Sequence, residues 1–178
     1  MMDWHEIEVV LSGGHRNSLG NTLQVVDDVL AEEGRLDALI DCYRSDDEVV
    51  RLRASNALKR IAIQRPGWVH QRIQRLFDEV VPIRQASTHW TLAQIFLQLT
   101  DVLTPTERDQ AIALMQVNLE EFDDWIVINQ SMETLGQWAR TDPALRDWLL
   151  PRLWEFQKES RRSIAGKARR HLGALSGH

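Results

Sequence analysis

The feature that most constrains this chain is a spacing of small and apolar residues that recurs along its length. In the clearest copy the residues stand at offsets 0, 4, 7, 8 and 11, on one side of a helix; they are Val50, Ala54, Ala57, Leu58 and Ile61. Two further copies keep a small residue at offset four; they are Val127, Ser131, Leu135 and Trp138, and Ile164, Ala168, Leu172 and Leu175. Two weaker copies are Ser18, Thr22, Val26 and Val29, and Pro82, Ala86, Trp90 and Ala93. The chain therefore repeats one helix about five times.

The residues at offset four stand at positions 22, 54, 86, 131 and 168, and a second amphipathic helix precedes each copy. The repeating unit is thus a helical hairpin of about 30 to 45 residues, the period of helical solenoids. A single hairpin cannot cover its own apolar faces, whereas stacked hairpins bury them in one continuous core. An ordinary helical bundle with coincidental spacing is the alternative.

Composition agrees with a folded all-α chain. The 178 residues are 43% apolar and 26% charged, and the two-residue alternation of a half-buried strand never persists. We expect one domain over residues 1–178, because no linker or low-complexity tract divides the chain. The amino end is acidic, and no apolar run exceeds five residues, so we expect a cytoplasmic protein with no membrane span.

Two units resemble HEAT repeats. One runs from Trp148-Leu149-Leu150-Pro151-Arg152-Leu153 through Ser163-Ile164-Ala165-Gly166-Lys167-Ala168 to Leu172-Gly173, and the other is Asp46-Asp47-Glu48-Val49-Val50-Arg51-Leu52-Arg53-Ala54. The resemblance extends more loosely over roughly residues 15 to 175. It implies a right-handed α-solenoid (superhelix) of about five HEAT-like hairpins, with the second helix of each pair on the concave surface. Such surfaces commonly hold a protein partner.

Offsets 2, 6 and 9 point away from the apolar stripe, and we predict that these positions form the concave, partner-binding face. The main candidates are Asn56, Lys59, Thr88, Asn129, Glu133 and Arg170. Further members of the same set are Leu52, Arg84, Thr91, Gly136, Gly166 and Gly173. The set is polar and mixed in sign, and its glycines would let a partner approach closely.

Two other groups are candidates for binding. Trp125 and Trp154 lie off the clearest stripes and are possible aromatic anchors, although core packing is the commoner role of indole. A possible anion patch consists of Arg161, Arg162, Lys167 and Arg169. The same basic run could instead be the polar cap that a terminal repeat requires.

Charged residues come in blocks of alternating sign. Residues 27 to 48 hold nine acids and two bases, and residues 51 to 75 hold seven bases and no acid. Residues 101 to 124 hold seven acids and one base, and residues 152 to 171 hold seven bases and two acids. We favour the interpretation that opposite blocks attract each other across stacked helices over a dedicated ligand patch.

Motifs for catalysis are missing from the sequence. Gly166-Lys167-Ala168 lacks the remainder of a phosphate-binding loop, and the six histidines with Cys42 offer no metal-ligand spacing. His171 and His178 are expected at the surface. We therefore predict no catalytic residues, no metal and no cofactor.

The sequence favours a non-enzymatic scaffold that binds a protein or peptide partner on the concave face. The alternative is a DNA-binding helical-repeat enzyme similar to the DNA-alkylation-repair glycosylases, for which Asp124, Trp125 and Arg140 would be the nearest equivalents. A net charge of −5 makes nucleic acid an unfavourable partner. The oligomeric state stays open, because a short first helix with Ile7, Val9, Val10 and Leu11 could be a cap or a dimer contact.

Overall fold

The computed structural model describes residues 3–15 and 18–177, and these residues form helices and connecting turns without any strand. The α-helices are α1 Trp4–Leu11, α2 Thr22–Ala31, α3 Arg35–Asp41, α4 Glu48–Gln64, α5 Pro66–His70, α6 Ile73–Arg75, α7 Ala86–Gln98, α8 Pro105–Glu121, α9 Trp125–Trp138, α10 Pro143–Phe156 and α11 Arg162–Ser176. A 3-10 turn, Cys42–Arg44, follows α3, and a π-helical turn, Leu76–Val80, follows α6. The all-α prediction is confirmed.

The chain forms two compact units, Met1–Thr104 and Pro105–His178. In the first unit α4 is central, since it packs against α2 on one side and α7 on the other, and α1 and α3 also contact it. In the second unit α9 packs against α8, α10 and α11, and α10 also packs against α11. The single domain expected over residues 1–178 stays a prediction.

Aspartates begin three of the long helices. Asp47 accepts a hydrogen bond from the Val49 N–H at 2.8 Å, and Asp142 accepts one from the Leu145 N–H at 3.0 Å. Asp124 accepts from two backbone N–H groups of α9, at 2.8 and 3.1 Å. Each carboxylate satisfies amides that have no partner within the helix and lies at the positive end of the helix dipole.

The repeated stripe is the core. In α4 every stripe residue from Val50 to Ile61 has an exposed fraction of 0%. In α9 and α11 the stripe residues are also buried, with Leu172 the most exposed at 6%. Offset 0 is the third residue after the N-cap in α4, α9 and α11, so the helices enter the core in one register.

The predicted register of α7 is wrong. The sequence pattern placed offset 0 at Pro82, but the N-cap is Gln85 and the stripe begins at Thr88, six residues later. The buried stripe is Thr88, Leu92, Ile95, Phe96 and Leu99, each with an exposed fraction of 0%. Pro82 lies in the turn before the helix, and offset four is a leucine rather than a small residue.

The segment before α7 departs from a regular helix. Its apolar residues predict one continuous stripe, yet the backbone divides into α5, α6 and the π-helical turn. Val69, Ile73, Leu76 and Val80 are nevertheless all buried. The apolar spacing therefore predicted correctly which side chains face the core, although the backbone does not form one continuous α-helix.

Candidate functional site

The second helices of the first unit present a row of partly exposed residues at equivalent positions. α4 packs against both α2 and α7, and residues at offset nine hold equivalent positions on the three helices; α4 adds the residues at offsets 6 and 13. We call this surface the Lys59 face; it consists of Asp27, Asn56, Lys59, Ile63 and Leu97. Asp27 and Ile63 are exposed, and the other three are half-buried. It combines two apolar side chains with an amide, one lysine and one aspartate.

Lys59 is the distinctive residue of this face. Its ammonium makes no ion pair with a carboxylate of the described residues, whereas the neighbouring Arg60 donates from Nε to Asn56 Oδ1 at 2.8 Å. Burial lowers the pKa of Lys59, and the positive charge of Arg60 lowers it further. A carboxylate bound next to Lys59 would raise its pKa again, because an opposite charge stabilises a partly desolvated cation.

In the second unit, Glu133 of α9 is the centre of a charge cluster with α11. Its Oε2 lies 2.9 Å from Lys167 Nζ, also accepts from Arg170, and lies 3.5 Å from His171 Nε2. Gln137 donates to Oε1 at 2.9 Å. Burial opposes ionisation of Glu133, but the hydrogen bonds from Gln137 and Lys167 and the nearby positive charges lower its pKa to about 2. The cluster brings predicted site residues together, but it satisfies them internally.

His171 is buried, with an exposed fraction of 2%, so its expected surface location is wrong. A Cβ on Gly136 would lie 2.3 Å from His171 Nδ1, which means that the ring fills the space a side chain on α9 would need. Burial lowers the pKa of His171, although the charge of Glu133 opposes this shift. His178 lies outside the described residues.

Thr88 and Asn129 do not line an accessible face, contrary to expectation. Thr88 has an exposed fraction of 0%, because the register of α7 places it on the apolar stripe. Asn129 has an exposed fraction of 5% and lies two turns before Gly136, on the side of α9 that packs against α11. Neither Thr88 Oγ1 nor Asn129 Oδ1 has a hydrogen-bond partner among the described residues.

The four residues of the predicted anion patch differ in their contacts. Arg161 pairs with Glu159 and with Asp123, each at 2.9 Å, and Lys167 is engaged by Glu133. Arg162 and Arg169 are exposed, and neither makes an ion pair with the described residues. These two arginines stand seven residues apart, on one side of α11.

Several helices carry isolated apolar residues that are exposed. Trp125 and Trp154 have exposed fractions of 52% and 53%, so both are accessible, while Trp138 is buried. In α1, Ile7 and Leu11 point into the core and Val9 is 72% exposed. Exposure makes Trp125 and Trp154 available as anchors without identifying a partner.

The charge blocks attract each other across neighbouring helices, as favoured from the sequence. Arg72 pairs with Glu33 at 2.8 Å and with Asp37 at 3.0 Å, and Arg75 pairs with Asp41 at 2.7 Å. In the second unit, Arg152, Arg161 and Lys167 pair with Glu120, Asp123 and Glu133, respectively. The partners in these pairs are 32 to 39 residues apart, about one repeat.

The residues that would imitate a DNA-repair glycosylase do not share a site. Asp124 caps the beginning of α9, and Arg140 follows its end. The fourteen residues of α9 separate them by roughly 20 Å at 1.5 Å per residue. Burial raises the pKa of the Cys42 thiol to about 12, which disfavours the reactive thiolate.

Over residues 3–15 and 18–177, no group of three or more His, Cys, Asp and Glu side chains could hold a metal ion. Among the helices of that same part of the chain, none has the length and apolar character required to cross a membrane.

Sequence reasoning missed Arg53, a buried arginine of α4 with an exposed fraction of 2%. Its guanidinium donates to the carbonyl oxygens of Leu11 at 2.6 Å, Gly13 at 2.5 Å, His15 at 3.1 Å and Ser18 at 3.2 Å. Gly13, Gly14 and Gly20 all have positive φ in this loop. The glycine-rich sequence was the available signal that the loop wraps closely around another group.

Comparison with known proteins bears on the fold alone. No protein-family model and no curated protein matches the chain. The chain is similar to the crystal structure of an engineered protein from a structural genomics consortium, with a TM-score of 0.67 and 15% sequence identity. The match covers 98% of this chain and 81% of the engineered one. It agrees with an all-helical fold for this chain.

Proposed function

We propose that this chain is a non-enzymatic binding module built of HEAT-like helical hairpins, which holds a protein or peptide partner on the second helices. The repeated core stripe supports this proposal, as do the ion pairs between residues about one repeat apart. Such a module uses an extended face of its inner helices rather than a deep pocket. The right-handed superhelix belongs to the same proposal.

The observation that carries the function is the Lys59 face. A partly desolvated ammonium, with no carboxylate partner in the part of the chain that the structure describes, stands among residues of mixed polarity on neighbouring helices. Charged and apolar groups side by side are suited to an amphipathic segment, and the unpaired ammonium favours an acidic one. We therefore assign the partner as a protein segment that carries a carboxylate next to apolar side chains.

The roles of the other candidates follow from their contacts. Glu133, Lys167 and Arg170 satisfy one another, so we assign them to holding α9 against α11. Asn56 belongs to the Lys59 face and orients Arg60. Trp125 and Trp154 are secondary anchors in this proposal.

The test is affinity capture with the immobilised chain from lysate of the native host, followed by reconstitution with the purified protein that is captured. Lys59→Glu should weaken binding of that protein at least tenfold, because it places like charges together. Arg162→Glu is the matched control, since it reverses an exposed and unpaired charge outside the Lys59 face.

Equal loss of binding in both variants would indicate a general charge effect and contradict the assignment. Full binding by Lys59→Glu would contradict it as well. Circular dichroism of each variant verifies that the helical content is unchanged.

A further inference from the structure

A cleft in the second unit brings together two arginines that the proposed function does not use. It has a volume of about 240 Å³ and is lined by Arg140, Arg146, Ala174 and Leu175. Arg140 follows the end of α9, Arg146 lies near the beginning of α10, and the two apolar residues belong to the last turn of α11. Three helix ends thus enclose one small space.

Neither arginine is neutralised in the described part of the chain. Arg140 and Arg146 make no ion pair and no side-chain hydrogen bond with those residues, while most other arginines of the chain do. The adjacent Asp142 is engaged with its own helix, because its Oδ1 accepts from the Leu145 N–H at 3.0 Å. Two guanidinium groups therefore retain their hydrogen-bonding capacity beside the cleft.

The lining favours one class of ligand. Guanidinium groups present paired N–H donors that match the two oxygens of a carboxylate. Ala174 and Leu175 provide an apolar wall, with Leu175 largely buried at an exposed fraction of 4%. The volume is below the 300–1,000 Å³ typical of pockets for larger small molecules, so it accommodates a small group.

We infer that the cleft bounded by Arg140, Arg146, Ala174 and Leu175 binds a carboxylate that stands next to a short apolar side chain, as at the carboxyl end of a peptide. The arginines hold the carboxylate, and the apolar wall receives the side chain. This inference goes beyond the proposed function, because it uses no residue of the Lys59 face and needs no identified partner.

The test uses small probes and NMR of the full chain labelled with nitrogen-15. N-acetyl-leucine carries the carboxylate and an apolar side chain, while N-acetyl-leucine amide has the same side chain and shape but is neutral and has an NH2 group in place of one carboxylate oxygen. The acid should cause saturable shifts at the Nε–H signals of Arg140 and Arg146 and at the amides of Ala174 and Leu175. N-acetyl-leucine amide and inorganic phosphate should each bind at least tenfold more weakly than N-acetyl-leucine.

Variants of the two arginines test whether N-acetyl-leucine binds in the cleft. Arg140→Gln and Arg146→Gln should each weaken binding of N-acetyl-leucine roughly tenfold, the loss expected for one charge-assisted hydrogen-bonding group. Lys158→Gln is the matched control, because it removes an exposed positive charge of the same unit that lies outside both the cleft and the predicted anion patch. It should bind as the parent does.

Three outcomes would overturn the inference. Equal binding of the acid and the amide would exclude a carboxylate site, and tighter binding of phosphate would indicate an oxyanion site without apolar recognition. Shifts that persist in Arg140→Gln and Arg146→Gln would place the ligand elsewhere. None of these results bears on capture through Lys59, so the two proposals fail independently.

Discussion

At the scale of single residues, two glycines in equivalent positions have opposite surroundings. Gly136 of α9 and Gly173 of α11 each stand twelve residues after the N-cap of their helix. The ring of His171 fills the space beside Gly136, whereas no heavy atom lies within 4 Å of a Cβ built on Gly173. The same residue type therefore permits close packing in one helix and leaves an open surface in the other.

Alanine at these two positions should change stability in opposite directions. Gly136→Ala should lower the free energy of unfolding by about 1–3 kcal/mol, because the new methyl group overlaps the buried imidazole. Gly173→Ala should raise it by up to about 1 kcal/mol, since alanine favours the helix and meets no obstacle. Urea denaturation measures both values.

The His171→Ala background is the control for the steric explanation. There the cost of Gly136→Ala should become smaller, because the obstructing ring is gone. An unchanged cost would show that the strain arises elsewhere.

The charge cluster around Glu133 makes the stability of the second unit depend on pH. The pKa of Glu133 is about 2 in the folded chain, against an ordinary value of 4.5. The folded state therefore favours the carboxylate, and the resulting stabilisation is complete above pH 4.5 and is lost as the pH falls towards 2. Carbon-13 NMR of the Glu133 carboxyl should give a titration midpoint near pH 2, and a midpoint near 4.5 would contradict the cluster. Glu133→Gln should flatten this part of the stability profile.

At the scale of elements, one arginine ties a loop to a helix. Of the four carbonyl groups that accept hydrogen bonds from Arg53, one belongs to Leu11 at the end of α1 and three belong to the segment between α1 and α2. A Cβ on Gly20 would lie 2.9 Å from Arg53 Cζ, so the loop also needs glycine to close around the guanidinium. The interaction joins residues about 40 positions apart in the sequence.

Replacing Arg53 should loosen this end of the first unit. Arg53→Met keeps much of the side-chain volume but leaves the carbonyl groups without their donor, and it should cost about 3 kcal/mol of unfolding free energy. Hydrogen exchange should become faster in α1 and α2 than in α11. Arg162→Met is the control, since that arginine is exposed and unpaired. Unchanged stability and exchange in Arg53→Met would refute the role of the tie.

The sequence predicted some elements better than others for physical reasons. The registers of α4, α9 and α11 were predictable because each helix has large apolar residues at offsets 0, 8 and 11 of the stripe. The register of α7 was not, because Thr88 is a polar residue on the buried stripe and Ala86 imitates the small residue at offset four. Periodicity alone cannot distinguish a buried threonine from an exposed one.

At the scale of the whole molecule, the order of acidic and basic blocks along the chain predicts which helices are joined by ion pairs. Acidic and basic blocks alternate, and Arg72 and Arg152 each pair with an acid about one repeat away. The sequence could therefore indicate which segments lie side by side in each unit. It could not predict the burial of His171, because a histidine on a helix gives no sign that a glycine on the next helix admits its ring.

The sequence predicted only part of the candidate site. Lys59 and Asn56 are partly exposed, whereas Asn129 is covered on the side of α9 that packs against α11. The partner-binding face that these residues were expected to form stays a prediction. Offsets describe the direction of a side chain from its own helix, but they do not show which neighbour covers it. Only the packing of α9 against α11 decides that outcome.

The most direct measurement of the central claim is site-specific photo-cross-linking in the native host. A photoreactive phenylalanine analogue replaces Ile63, which is 57% exposed beside Lys59, or Val117, which is 39% exposed on α8. The account predicts one discrete cross-linked protein from position 63 that disappears with Lys59→Glu, and no such product from position 117. Equal products from both positions, or a product from position 63 that persists with Lys59→Glu, would contradict a binding face on the second helices.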